Sequence, residues 1–87
     1  LRAGERLTRV PVFGGVQVDV GLLCAVPVTL PLAAGERAQV RVFAPQYAFA
    51  PVLPGFAGHA DVLVDGTVLR SVPLYYEAPV AQQTRRR

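Results

Sequence analysis

The chain has 87 residues, 52% of them hydrophobic and 17% charged, with a formal net charge of +3. A chain of this length holds one domain with one modest core, and folding removes roughly 60–65% of the surface that the unfolded chain exposes. Six of the nine arginines match the six acids and the other three are Arg85, Arg86 and Arg87, so the body is neutral and lacks the basic stripe that nucleic-acid binding requires.

Alternation with period 2 prevails along the chain, and eight prolines and eight glycines spread through it leave almost no room for helix. Fifteen valines favour strands. Leu7 to Phe13 reads as a first strand, Gly14-Gly15 as a two-residue hairpin turn, and Val16, Val18 and Val20 as one face of a second strand whose other face carries Gln17 and Asp19. Val26, Val28 and Leu30 alternate with Ala25, Pro27 and Thr29; Pro27 has no N–H for a ladder, so an edge strand or a bulge is expected there. Leu32 to Glu36 is a turn. Val40, Val42 and Ala44 alternate with Gln39, Arg41 and Phe43 as a half-buried strand, and Pro45 to Gly58 is a connection rich in Pro and Gly that bears Tyr47, Phe49 and Phe56.

Asp65-Gly66 between two apolar runs is the signature of a type I′ hairpin over Ala60 to Val72. Strict pairing sets Val64 opposite Thr67, Leu63 opposite Val68, Val62 opposite Leu69 and Asp61 opposite Arg70. One face then holds Ala60, Val62, Val64, Thr67, Leu69 and Ser71; the other holds His59, Leu63, Val68, Val72 and the Asp61/Arg70 pair. That pair is worth only ~0.2–1 kcal/mol at the surface and serves register. Pro73 to Glu77 reads as a further short strand before Ala78-Pro79. The expected fold is all-β, a small elongated antiparallel β-sandwich of two packed sheets with hairpins and almost no helix. Residues 1–80 form a single accessory domain, and 81–87 a disordered basic C-terminal tail.

The order of these features resembles the C-terminal β domain of the penicillin-binding D-alanyl-D-alanine carboxypeptidases, low-molecular-weight serine peptidases of the bacterial cell wall. That family follows Val-Thr-Leu/Ile-Pro and a nearby Gly with an alternating strand, Ala-Pro-(Val/Leu)-x-x-Gly, a hairpin on Asn/Asp-Gly and a Pro-Leu step. Here stand Val28-Thr29-Leu30-Pro31 with Gly35, Val40 to Phe43, Ala50-Pro51-Val52-Leu53-Pro54-Gly55, Asp65-Gly66 and Val72-Pro73-Leu74. The likeness runs from about Val10 to Val80, and its weight lies in the ordered set. The chain departs from the pattern where Leu53-Pro54 replaces two lysines, Phe56 replaces Gln, Gly58 precedes the usual position of a second glycine, now His59, and Leu32-Ala33-Ala34 lengthens a turn. These departures remove the basis for a charge-based role of that loop.

The family's activity uses Ser-x-x-Lys, Ser-x-Asn and Lys-Thr-Gly motifs. None fits a chain with no Lys, no Asn and the single serine Ser71. The resemblance therefore implies no catalytic, cofactor or metal residues in this chain, and a catalytic domain N-terminal to Leu1. The implied parent is an extracytoplasmic, cell-envelope serine D-Ala-D-Ala carboxypeptidase of peptidoglycan maturation, positioned by this module relative to membrane and wall. Leu1 is no initiator methionine and no run reaches the ~18 apolar residues of a span, so a fragment is expected, with any membrane contact made through an anchor beyond Arg87. Partners would be that catalytic domain and the cell wall or another envelope protein, with no nucleic acid.

Cys24, the one cysteine, allows neither an internal disulfide nor a cysteine-based metal cluster, and a Cys24–His59 nucleophile pair lacks an orienting third group. A lone Cys among valines reads as a small buried hydrophobe, and a lone His in a Gly-Ala loop as solvated. Asp61 and Asp65 read as register and turn residues. Tyr75-Tyr76 and Phe56 read first as core and edge packing. The alternative function is an extracytoplasmic binding module that holds a glycan or protein partner on Tyr47, Phe49, Phe56 or Tyr76.

Overall fold

The computed structural model describes residues 1–84. Six strands form one curled sheet: β1 (Arg6–Phe13), β2 (Asp19–Cys24), β3 (Ala38–Phe43), β4 (Ala48–Phe49), β5 (Phe56–Val64) and β6 (Thr67–Tyr76), ordered β3-β5-β6-β2-β1-β4. All neighbours are antiparallel except β1 and β4, which run parallel. There is no helix among the described residues, as the period-2 pattern predicts.

The all-β class and the elongation hold, with Cα extents of 63 × 19 × 14 Å, but the two-sheet sandwich does not. A half-barrel replaces it because β6 does not stop at Pro73. It pairs with β5 from Thr67 to Tyr75, and on its other side Leu74 to Tyr76 pair with β2, so one ten-residue strand ties two staggered blades into a single sheet. The Ala25 N–H donates to the Pro73 carbonyl at 3.1 Å, which puts the nitrogen side of Pro73 just past the end of β2. A missing donor there removes no central ladder bond. The core lies on the inner face, where Val10, Val20, Leu22, Cys24, Ala60, Val62, Val72 and Leu74 meet Val28, Val52 and Val80 from irregular segments. Val52 and Val80 exchange backbone bonds of 2.8 and 3.0 Å, closing the open side of the curl.

The hairpin forms as expected, with Asp65 at φ 49° and Gly66 at φ 81°, the two positive values that a type I′ turn needs. Val64↔Thr67 and Leu63↔Val68 pair as strict register requires, but a bulge at Leu69 then shifts the ladder to Val62↔Arg70, Asp61↔Ser71 and Ala60↔Val72. The expected Val62–Leu69 and Asp61–Arg70 pairs are therefore absent. The extra residue exchanges faces: Val72 is buried beside Ala60 while Leu69 is 52% exposed. Burial decides the register, since in this phase Val72 and Leu74 both enter the core.

Further expectations are corrected. The β1–β2 connection is a five-residue loop with Val12 bonded to the Val18 carbonyl, and Val16 and Val18 are exposed while only Val20 is buried. Val26 to Leu30 form no strand; Val28 is held instead by two bonds with Leu1, at 2.9 and 3.1 Å. The segment Pro45 to Gly58 contains β4 and the start of β5, and β3 is mostly exposed. The chain past Val80 also departs from the expected tail: the Ala81 carbonyl accepts from Val16, Gln82 bridges Gly15, and the Gln83 N–H donates to Gly14 at 2.8 Å. Arg85 to Arg87 lie outside the described residues.

Candidate functional site

On β6, Pro73 faces His59 of β5 and the next residue, Leu74, faces Cys24 of β2. Successive strand residues point to opposite faces, so Cys24 shares the buried face with Leu74 and His59 the open face with Pro73. Two strand spacings, ~10 Å, and the thickness of the sheet separate them. Cys24 is 0% exposed, and its thiol donates to the Val26 carbonyl. The His59 ring stacks on Phe43 with centroids 4.7 Å apart, and Nε2 lies 3.7 Å from Asp61 Oδ1. The Cys24–His59 pair is thus not assembled.

The two aspartates are engaged locally. Asp61 accepts the Ser71 hydroxyl in place of the expected Arg70 partner, and Asp65 Oδ1 accepts the Arg37 N–H at 3.2 Å. Among the described residues no three of His, Cys, Asp and Glu converge as metal ligands, and no cavity opens.

The aromatic residues separate into patches. Tyr47 precedes β4 and Phe49 ends it, and the two pack edge-on against each other at 5.2 Å; both meet Phe13 from the end of β1, at 5.7 and 6.0 Å. All three rings are at least half exposed. Phe56 meets Tyr75 on the open face of β5 and β6 at 6.2 Å, so these two pair as a surface feature. Tyr76 turns the other way and packs against the core. Phe13 was hidden in the sequence because it reads as the last residue of an alternating strand; only the parallel pairing Phe13↔Phe49 brings it to the cluster.

A polar cluster at the seam between the blades also escapes sequence reading. Arg6 Nη2 and Nε donate to Glu77 Oε2 at 2.7 and 3.2 Å, and the Gly21 N–H donates to Oε1 at 2.9 Å. Donation from Arg6 first, and from Gly21 second, holds the Glu77 carboxyl below its ordinary pKa. A Cβ at Gly21 would stand 2.6 Å from Oε1 and 2.8 Å from Arg6 Nε, so the arrangement needs a residue without a side chain. Arg6 and Glu77 lie 71 positions apart, and nothing in the local sequence links them. No family of known proteins matches the chain, and no curated protein does.

Proposed function

We propose that this chain is a non-catalytic, extracytoplasmic module of a cell-envelope serine D-Ala-D-Ala carboxypeptidase, setting the distance of the catalytic domain from membrane and wall. One observation carries the reading: the path of the chain along a narrow rod. The segment before β1 is tied beside Cys24 by the Gly4 N–H, and the segment after β6 reaches Gly15 at the far end of β1. These points differ by the length of an eight-residue strand, ~26 Å, which is what a spacer supplies. The ordered motifs Val28 to Pro31, Ala50 to Gly55, Asp65-Gly66 and Val72-Pro73-Leu74 support the same family.

The test is to read the gene upstream of Leu1 and assay its product. The expected result is a Ser-x-x-Lys domain in frame, with D-Ala release and covalent penicillin labelling by the whole protein and by neither the 87-residue chain nor its variants. Turnover by the chain itself, or a gene without such a domain, would refute the proposal.

The Phe13–Tyr47–Phe49 cluster favours a second reading, a module that holds a glycan or protein partner. Titration with soluble peptidoglycan fragments should then shift the resonances of those three rings; unshifted rings at saturating fragment would dispose of it.

A further inference from the structure

The sheet ends on β3, and that edge is open. The Asp65 N–H donates to the Arg37 carbonyl at 3.1 Å, in register with the Ala38↔Val64 ladder. Bonded positions alternate in an antiparallel pair, so Arg37, Gln39, Arg41 and Phe43 bond to β5. Ala38, Val40 and Val42 therefore turn their N–H and C=O groups outward, and β5 is the one strand that β3 pairs with among the described residues. Edges are ordinarily blunted by shortness, proline or a bulge. The opposite edge, β4, has two residues, whereas β3 has six, no proline and unbroken register from Ala38 to Phe43.

We propose that β3 pairs antiparallel with β3 of a second copy of this chain, about a two-fold axis through Val40. Charge sets the register, and in one register the strand is complementary to itself. Arg41 lies opposite Asp61, and Arg37 opposite Asp65, whose Oδ1 accepts the Arg37 main-chain N–H, so each arginine of the edge has an acid beside it on β5. Pairing through the outward groups allows two-fold centres at positions 39, 40 and 41. A centre at 41 sets Arg41 against Arg41 of the second copy, and a centre at 39 sets Arg37 against Arg41; like charges directly opposite are unfavourable. The centre at Val40 sets Gln39 opposite Arg41 and Ala38 opposite Val42, with no like charges facing. Six backbone bonds then close the interface, and a two-fold interface stops at two copies. The Val40 side chain, 44% exposed, meets its own symmetry mate.

Sedimentation velocity of the 87-residue chain from about 10 µM to about 1 mM tests this, a range in which weak pairs populate. A monomer–dimer equilibrium is expected. Gln39→Glu, facing Arg41 twice across the axis, should tighten it roughly 2- to 30-fold, and Gln39→Arg should weaken it. Val40→Pro should abolish it with an unchanged circular dichroism spectrum, because the Val40 N–H points away from the sheet. A monomer throughout, or a dimer indifferent to both Gln39 substitutions, overturns the proposal. If Val40→Pro unfolds the chain, the two surface substitutions at Gln39 still decide it.

Discussion

Gly58 gives the sharpest test of how β5 is built. It sits at the bulge between Phe56 and His59 with φ +75°, and a Cβ there would collide with the Phe43 carbonyl oxygen, with Ala44 Cα at 3.1 Å and the Phe43 carbonyl carbon at 3.2 Å. Everything it meets is backbone, so no side chain can swing aside. Gly58→Ala then carries two costs. The left-handed backbone costs about 1–2 kcal/mol with a side chain, and parting Phe43 from His59 at the end of the β3–β5 ladder loses two backbone bonds at about 0.5–1.5 kcal/mol each. The sum is about 2–5 kcal/mol, against a total of about 4–13 kcal/mol expected for a chain of this size. At about 4–8 °C per kcal/mol, the melting temperature should fall by roughly 8 °C or more. Gly66→Ala is the control, since Gly66 has φ +81° but nothing within 4 Å of a Cβ, so it should lose only the backbone contribution of about 1–2 kcal/mol. Thermal and urea unfolding followed by circular dichroism measure both. Equal losses for the two variants would refute the collision and with it the close approach of β3 to the bulge.

The bulge at Leu69 predicts an inversion of the usual order: Val72→Ala should cost about 1.5–3 kcal/mol while Leu69→Ala stays within about 0.5 kcal/mol, in urea titrations; the opposite ranking would restore strict pairing. Because Arg6 and then Gly21 lower the pKa of Glu77 in the folded chain, its contribution is complete above the unfolded value and disappears as pH falls through the folded one, from about pH 5 downward. Glu77→Gln should flatten that part of the acid limb when urea midpoints are compared between about pH 3 and pH 7; an unchanged limb would count against the ion pair. Cys24, fully buried, should react with an aromatic disulfide reagent only in urea, and ready reaction in buffer would show that the core opens there.

Local chemistry was legible wherever the answer lay within a few residues. Asp65-Gly66 announces its turn because two successive positive φ values suit this dipeptide, and β1, β3 and the hairpin follow from alternation. The bulge was not legible, because the face that carries Ala60 and Val62 has apolar candidates in both Leu69 and Val72, and only the pairing of Leu74 with Cys24 on the next strand decides which one turns inward. Val16 and Val18 misled for the converse reason: alternation marks a strand, yet both stand in the loop before β2, where their main chain bonds to Ala81 and Val12 and the two side chains remain in solvent. The Phe13 cluster and the Arg6–Glu77 pair depend on strands distant in sequence, so no short pattern carries them.

The seam between the blades connects that missed cluster to the proposed role. The β2–β6 ladder holds three register pairs, Leu22↔Tyr76, Leu23↔Tyr75 and Cys24↔Leu74, far fewer than β5–β6, so a rod of this design would bend there first. Pro73 prevents the ladder from lengthening toward the hairpin, since it lacks a donor beyond Cys24. At the other end the main chain of Glu77 donates to Gly21 at 3.0 Å and its carboxylate takes the place of a further strand residue by accepting the Gly21 N–H. Arg6 then attaches β1 to the same carboxylate. Three strands are thereby locked at the point where two blades meet, and that purpose accounts for the glycine, the glutamate and the arginine together without assigning any of them to chemistry. A spacer that must hold a distance needs stiffness at its weakest joint, and this is the joint where the chain has placed its best-engaged charge.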